Sequence, residues 1–339
     1  MTRIPVVIAK SVYAKGETVF GGASDRYDWR ILDPAEAGMA EAVSASKARV
    51  AVLGVESYAG PLYAALNRSA GGGPSLIMRY GVGYDGIDLA QCRGHGVLLA
   101  ITTGTLDRSV AEHALSLIFA CARNSVFLDS EMRSGRFTPR QGVVLDGKTL
   151  VLLGFGHIAK HLSHMAASGL GMKVIAVDHK PLEKAAALEG LSESAYVGRH
   201  GISEYATEYG ACAARADFLS LHLPVRPDTV DFVDADFLAA MKPDAYLINT
   251  ARGKLVDESA LYDALEAGRI RGAGLDVYRK EPYEPVSPQR DLRKLPNVVL
   301  TSHVGSNTLE ANRAMQESVL RNLDAFEAGA FDRMTLVKT

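Results

Sequence analysis

LVLLGFGHIAKHL, residues 150–162, reads as an apolar strand, a turn built on Gly154 and Gly156, and the first turns of a helix. Such a loop turns the free amides of a helix N-terminus toward the phosphates of a dinucleotide. Further on, KVIAVD ends in Asp178, 24 positions after Gly154, where a second strand should offer an acid to an adenosine ribose. Ala159 stands where a third glycine is usual, but that position serves close helix–strand packing and a methyl group fits. Strand, turn, helix, strand and acid in this order predict a dinucleotide-binding βαβ unit.

An earlier stretch, RYGVGYDGID at 79–88, is the more literal match, with Gly81, Gly83 and Gly86 in G-x-G-x-x-G spacing. It fails on context. Only a short helical segment follows, the next strand ends in Thr102 and Thr103 without an acid, and Asp85 places a carboxylate inside the loop.

Outward from the cofactor loop, short apolar runs alternate with helical patterns along nearly the whole chain. Strands are expected at 5–9, 50–54, 76–79, 97–101, 149–154, 173–177, 217–221, 245–248, 272–275 and 298–301. Helices are expected over much of 108–134, 157–169, 257–267 and 306–328. The long pattern at 108–134 separates an earlier strand set from a later one, as a helix joining two domains would. The expected class is α/β, with parallel sheets covered by helices on both faces.

Composition narrows the function. The 339 residues are 47% hydrophobic and 22% charged, with a formal charge of −2, as in an ordinary soluble globular protein. That balance gives no reason to expect nucleic acid or an acidic membrane as partner. No window approaches the length of a membrane span. The apolar run in MTRIPVVIAK is too short for a signal peptide. Cys92, Cys121 and Cys212 are odd in number and widely spaced, which argues against a disulfide framework and for a cytoplasmic protein. His157, His161 and His164 share a helix face, but no glutamate follows His157 as in H-E-x-x-H, and His157 lies in the phosphate loop; no metal is expected.

Three later stretches carry chemistry. INTARGKLVDESAL puts Arg252 after an apolar strand, GAGLDVYRKEP offers Asp276 and Glu281 after another, and LTSHVGSNT places His303 after a third. Ligands of α/β proteins gather at such carboxyl ends. A hydroxy acid needs a base for its hydroxyl proton, a cation for its carboxylate, and a group that orients the base. Histidine, arginine and glutamate meet those needs.

Together these motifs resemble the D-isomer-specific 2-hydroxyacid dehydrogenase family. RYGVGYDGIDL, SVAEHAL, LLGFGHIA, ADFLSLHLPVRPDT, NTARGKLVDESAL, GAGLDVYRKEP and SHVGSNT carry the likeness from about 76 to 328. The resemblance implies two Rossmann-like doubly wound parallel-sheet domains. The NAD-binding domain, 108–302, is inserted into a discontinuous substrate domain, 1–107 plus 303–339, with reaction in a cleft that closes on the substrate. It implies that Arg252 binds the substrate carboxylate and carbonyl, that His303 is the general acid/base, and that Glu281 is its partner. Asp276 would contact the nicotinamide side. Gly154, Gly156, His157, Ile158 and Asp178 would meet phosphates and ribose, and Leu223, Pro224, Thr250, Ala251 and Gly305 would complete the NAD site. The decoy turn at Val82 and Gly83 would cradle the substrate carboxylate. A homodimer formed around 120–147 is also implied.

Departures from the family pattern border the site. Thr102-Thr103-Gly104 replaces an Asn-x-Pro-Gly-like turn, Ser302 stands where proline is frequent, and Glu281 rather than glutamine argues against a formate-dehydrogenase-like member. Asp178 favours NAD over NADP, because a carboxylate repels a 2′-phosphate. The loop LGVESYAG carries Glu56 and no lysine or arginine, which speaks for a small monocarboxylic 2-oxo acid over a phosphorylated one, with Tyr58 free to pack on its side chain. Rival readings are an NAD-sensing corepressor-like binding protein and a phosphite-type dehydrogenase.

Overall fold

A computed structural model describes residues 3–338. The chain divides into two compact units, Met1–Leu106 with Asn307–Thr339, and Asp107–Ser306.

The first unit holds β1 (Ile4–Ala9), β2 (Tyr27–Leu32), β3 (Val50–Leu53), β4 (Ser75–Arg79) and β5 (Val97–Ile101) in the order β2-β1-β3-β4-β5. All neighbours run parallel. The C-terminal segment lies along β5, where the Val337 amide donates to the Leu99 carbonyl at 2.8 Å. That contact covers an edge that would otherwise present unpaired backbone groups.

The second unit holds β6 (Thr149–Leu153), β7 (Lys173–Val177), β8 (Glu204–Ala206), β9 (Phe218–Leu221), β10 (Tyr246–Asn249), β11 (Gly272–Leu275) and β12 (Val298–Leu300). Their order is β12-β11-β10-β9-β6-β7-β8, again parallel throughout. The apolar run LVLL serves both faces of this sheet. Leu150 and Leu152 enter one core cluster, and Val151 and Leu153 enter the other, as the alternation of a strand requires. Chain order reverses between β6 and β9, and the carboxyl ends of those two strands flank the crevice where doubly wound sheets take ligands. The parallel two-sheet class is therefore as expected.

Three of the differences from expectation concern the long helix and the sheet edges. The helix expected over 108–134 is two helices, Asp107–Arg123 and Ser125–Arg133, broken at Asn124. Asn124 sits at φ 52°, in the left-handed region that asparagine tolerates better than most residues. The strands β2 and β8 were absent from the expected set. Both are sheet edges, and the alternation of charge and aromatic residues in YDWRIL hides the apolar signal.

Candidate active site

The turn at Gly154 and Gly156 differs in geometry from the literal match at Gly81–Gly86. Gly154 has φ +89°, and a β-carbon there would lie 2.6 Å from the His222 carbonyl oxygen. Only glycine lets the end of β6 pass so close to the end of β9. The helix His157–Leu170 then starts at Gly156 with no side-chain cap, and no atom lies within 4 Å of where a Gly156 β-carbon would be. Its first amides thus open onto space, with the positive end of the helix dipole behind them.

Asp178 follows β7 and is buried. Its Oδ2 accepts the Phe155 amide and its Oδ1 the Lys180 amide, each at 3.0 Å. His179 Nδ1 lies 3.1 Å from Oδ1. The acid thereby ties the glycine turn to the next strand while keeping acceptor capacity, since a carboxylate offers about four lone-pair sites. Past β10, the Thr250 hydroxyl is buried without a hydrogen-bond partner among the described residues, a group that a ligand would satisfy. These features fit a dinucleotide. His157 is exposed, with Nδ1 3.5 Å from Asp107. Ile158 and Ala251 are half-buried, Pro224 is exposed, and the Leu223 side chain packs in the core. Among the described residues no cluster of histidine, cysteine and acidic groups is arranged to hold a metal.

Arg252, Glu281 and His303 follow β10, β11 and β12, three adjacent strands, at their carboxyl ends. Asn249 shapes the bend before Arg252: its Nδ2 donates to the Arg252 carbonyl at 2.9 Å and its Oδ1 accepts the Ala251 amide at 3.0 Å. His303 Nδ1 lies 2.7 Å from Glu281 Oε2, and the Tyr278 amide donates to Glu281 Oε1 at 3.0 Å. Burial works to raise the Glu281 carboxyl. The bonds from His303 and Tyr278, with the charge of Arg252, overcome it and hold the group below the ordinary glutamate range. A charged Glu281 takes the Nδ1 proton of His303 as donor, which leaves Nε2 to exchange a proton with a ligand.

His303 itself has φ +53°, a conformation that costs a non-glycine residue about 1–3 kcal/mol. Asp276 over-determines it. The His303 amide donates to the Asp276 carbonyl at 2.8 Å. The Val304 and Gly305 amides donate to Asp276 Oδ1 and Oδ2 at 2.9 and 2.8 Å, and the Thr301 hydroxyl donates to Oδ1 at 2.6 Å. Behind them His113 Nε2 lies 2.9 Å from the Thr301 hydroxyl, and the Ser109 hydroxyl holds the Gly305 carbonyl at 2.7 Å. Asp276 is 1% exposed. Burial alone would raise its carboxyl, yet the bonds from His113, Thr301 and the two amides keep it below the ordinary range. Its side chain is turned into this turn.

Asn249, Ser109, His113 and Thr301 were not singled out from the sequence. His113 was the most legible of them, a polar residue within the apolar face of SVAEHAL.

In the first unit, Val82 and Gly83 lie half-buried in the turn after β4. Thr102 staples that turn to the end of β5: its hydroxyl accepts the Gly81 amide, and its own amide donates to the Gly81 carbonyl, both at 3.0 Å. No helix starts at these glycines; the next one, Leu89–His95, is capped by Asp88. The expectation for Tyr58 needs correcting. It is 1% exposed, its hydroxyl has no hydrogen-bond partner among the described residues, and it is core rather than a surface for a ligand.

The family model described as D-isomer specific 2-hydroxyacid dehydrogenase, NAD binding domain, matches residues 115–305. A glyoxylate reductase of Thermococcus litoralis is 38% identical over 263 residues, 75% of this chain and 74% of that protein. A hydroxypyruvate reductase of Thermotoga maritima is 35% identical over 247 residues, covering 72% and 74%. Among solved structures, the NADPH-dependent glyoxylate/hydroxypyruvate reductase of Sinorhizobium meliloti, in complex with NADP and malonate, superposes with a TM-score of 0.80. It is 27% identical, over 96% of this chain and 94% of that one.

Proposed function

The chain belongs to the D-isomer-specific 2-hydroxyacid dehydrogenase family, and from that premise we propose that it interconverts a small D-2-hydroxy acid and its 2-oxo acid. The observation that carries this reading is the 2.7 Å contact between His303 Nδ1 and Glu281 Oε2, on the sheet edge that also presents Arg252. Arg252 grips the substrate carboxylate with its guanidinium fork and polarises the neighbouring carbonyl. We propose that the Val82–Gly83 turn of the first unit offers backbone amides to a carboxylate. In reduction, His303 Nε2 gives its proton to the carbonyl oxygen; in oxidation it takes the hydroxyl proton back. Glu281 keeps the ring oriented and balances its charge. A nicotinamide cofactor held by the Gly154–Gly156 turn, Asp178 and Thr250 would supply the hydride for reduction and accept it in oxidation.

NAD is proposed over NADP. The support is Asp178 at the end of β7, whose carboxylate would accept the ribose hydroxyls of NAD and would repel a 2′-phosphate. We also propose that the second unit, Asp107–Ser306, binds the nucleotide and that the first reads the acid. A homodimer is proposed through residues 120–147, where Val126, Met132, Phe137 and Val144 are all exposed.

Oxidation of NADH and NADPH followed across glyoxylate, hydroxypyruvate, pyruvate and longer 2-oxo acids tests the reading. Turnover of at least one acid is expected, faster with NADH. Tight NADH binding with no turnover of any acid favours the corepressor-like alternative.

A further inference from the structure

Tyr246 opens β10, Gly272 opens β11 and Val298 opens β12. These amino ends face away from Arg252, Glu281 and His303, which follow the carboxyl ends of the same three strands. Beside them, the last turn of the helix Asp107–Arg123 and the segments around Phe127 and Arg140 complete a pocket. It is built wholly from the unit Asp107–Ser306. Its lining holds two arginines, Arg140 and Arg271, and no aspartate or glutamate among the described residues.

Each guanidinium carries five N–H donors, and among the described residues neither set is fully used. Arg140 reaches the Pro296 carbonyl at 3.4 Å, a long bond, and lies 4.9 Å above the centre of the Phe127 ring. Arg271 lies 5.9 Å from the centre of the Tyr246 ring and 3.5 Å from Asp244, whose side chain is 86% exposed. An ion pair so open to water holds its partners weakly.

Tyr246 is the group that asks for a ligand. The residue is 4% exposed, and its hydroxyl is buried with no hydrogen-bond partner among the described residues. Its ring is fixed in place. It stacks on Phe218 with centres 5.0 Å apart, and a β-carbon on Gly272 would lie 3.2 Å from two of its carbons. Burial raises the pKa of the hydroxyl, while the charges of Arg271 and Arg140 act the other way. The net rise keeps it protonated, so the pocket presents a neutral donor beside two cations. An unpaired buried hydroxyl is costly, and so is the approach of two like charges; an anion with acceptor oxygens relieves both.

We infer that this pocket binds a small oxyanion, a phosphate or carboxylate group gripped by Arg140 and Arg271 and hydrogen-bonded by the Tyr246 hydroxyl. The guanidinium fork matches the oxygens of either group. The site lies apart from the acid–base pair, and its occupancy does not depend on the reaction proposed above.

Thermal melting in sodium phosphate, sodium acetate and sodium chloride at matched ionic strength tests this in the wild type, Arg140→Gln, Arg271→Gln and Tyr246→Phe. At least one oxyanion should raise the wild-type melting temperature by about 2 °C or more above chloride, and the larger shift tells which group the pocket takes. Each variant should lose about half of that shift or more. Anions that settle on Arg252 or the glycine turn act alike on all four proteins, so the differences read the pocket. In chloride Tyr246→Phe should melt no lower than the wild type, because it removes only an unpaired hydroxyl; it also serves if an arginine variant misfolds. Arg140 and Phe127 fall in the stretch proposed to meet a second copy, so light scattering accompanies the melts. The inference is overturned if neither oxyanion exceeds chloride in the wild type, if the folded variants keep the full shift, or if the shift comes only with a change of mass. A Tyr246→Phe protein that melts well below the wild type in chloride overturns it too, since the hydroxyl would then have its partner within the fold.

Discussion

The carboxylate of Asp276 holds the Gly305 amide at 2.8 Å, so an acid at the end of β11 sets the turn that carries His303 beyond β12. The pKa of Asp276 is depressed in the fold, so its contribution to stability is present above the unfolded value of about 3.9 and is lost as pH falls through the lower folded value. Asp276→Asn should cost about 1–3 kcal/mol near neutrality. The gap in melting temperature between wild type and variant should be wide at pH 7 and close as the pH drops below about 4. A gap that stays constant down to pH 3 means that the carboxylate charge does not hold the turn.

His303→Asn should lower kcat by about a hundred- to ten-thousand-fold, the usual cost of a positioned acid/base. NADH affinity, read by fluorescence titration, should change little. Glu281→Gln should cost less and shift the pH profile of kcat/KM, because the ring keeps a hydrogen-bond partner but loses the charge beside it. Wild-type turnover in His303→Asn would remove histidine from the mechanism.

Arg252→Ala should raise KM for the 2-oxo acid and lower kcat together, since in the proposed mechanism one side chain would both anchor the carboxylate and polarise the carbonyl. Arg252→Lys keeps the charge but not the planar fork, and should recover only a small part of kcat/KM. Full recovery by lysine would mean that charge alone, and not bidentate geometry, is what the substrate needs.

Asp178→Ser should weaken NADH binding and narrow the preference over NADPH. The oxygens of Asp178 also hold the Phe155 and Lys180 amides, so some loss of NADPH binding is expected as well. Equal kcat/KM for the two nucleotides in the wild type is the outcome that removes Asp178 as a discriminator.

Phe137 is 86% exposed in the stretch proposed to meet a second copy. Phe137→Glu should shift the mass measured by light scattering toward a single chain while leaving the far-UV spectrum unchanged. A wild type that elutes as one chain at tens of micromolar sinks the dimer directly.

Much of this was legible in the sequence because strands of a doubly wound sheet are buried on both faces and read as plain apolar runs. Arg252, Glu281 and His303 stood out because each follows such a run. The edge strand Tyr27–Leu32 did not, since one of its sides is free to carry Asp28 and Arg30. The break at Asn124 was hidden because asparagine enters a left-handed turn without the glycine or proline that usually announces one. Asp276 was legible as a polar strand end, but not its work: a carboxylate that collects two backbone amides from a turn 28 and 29 residues later leaves no local pattern. Asn249, whose partners are backbone atoms two and three residues on, looked like any polar residue at the end of a strand.

Arg252, Glu281 and His303 all belong to the unit Asp107–Ser306, one uninterrupted run of chain, while Val82, Gly83 and Glu56 belong to the other. On the proposed assignment, proton chemistry and substrate choice are written in separate blocks of the gene. A recombination event at the two junctions can replace the block that reads the acid and carry the acid–base pair over intact. New substrate ranges can then arise by exchange of whole segments, and selection need not rebuild the histidine, its carboxylate and the strained turn between them each time.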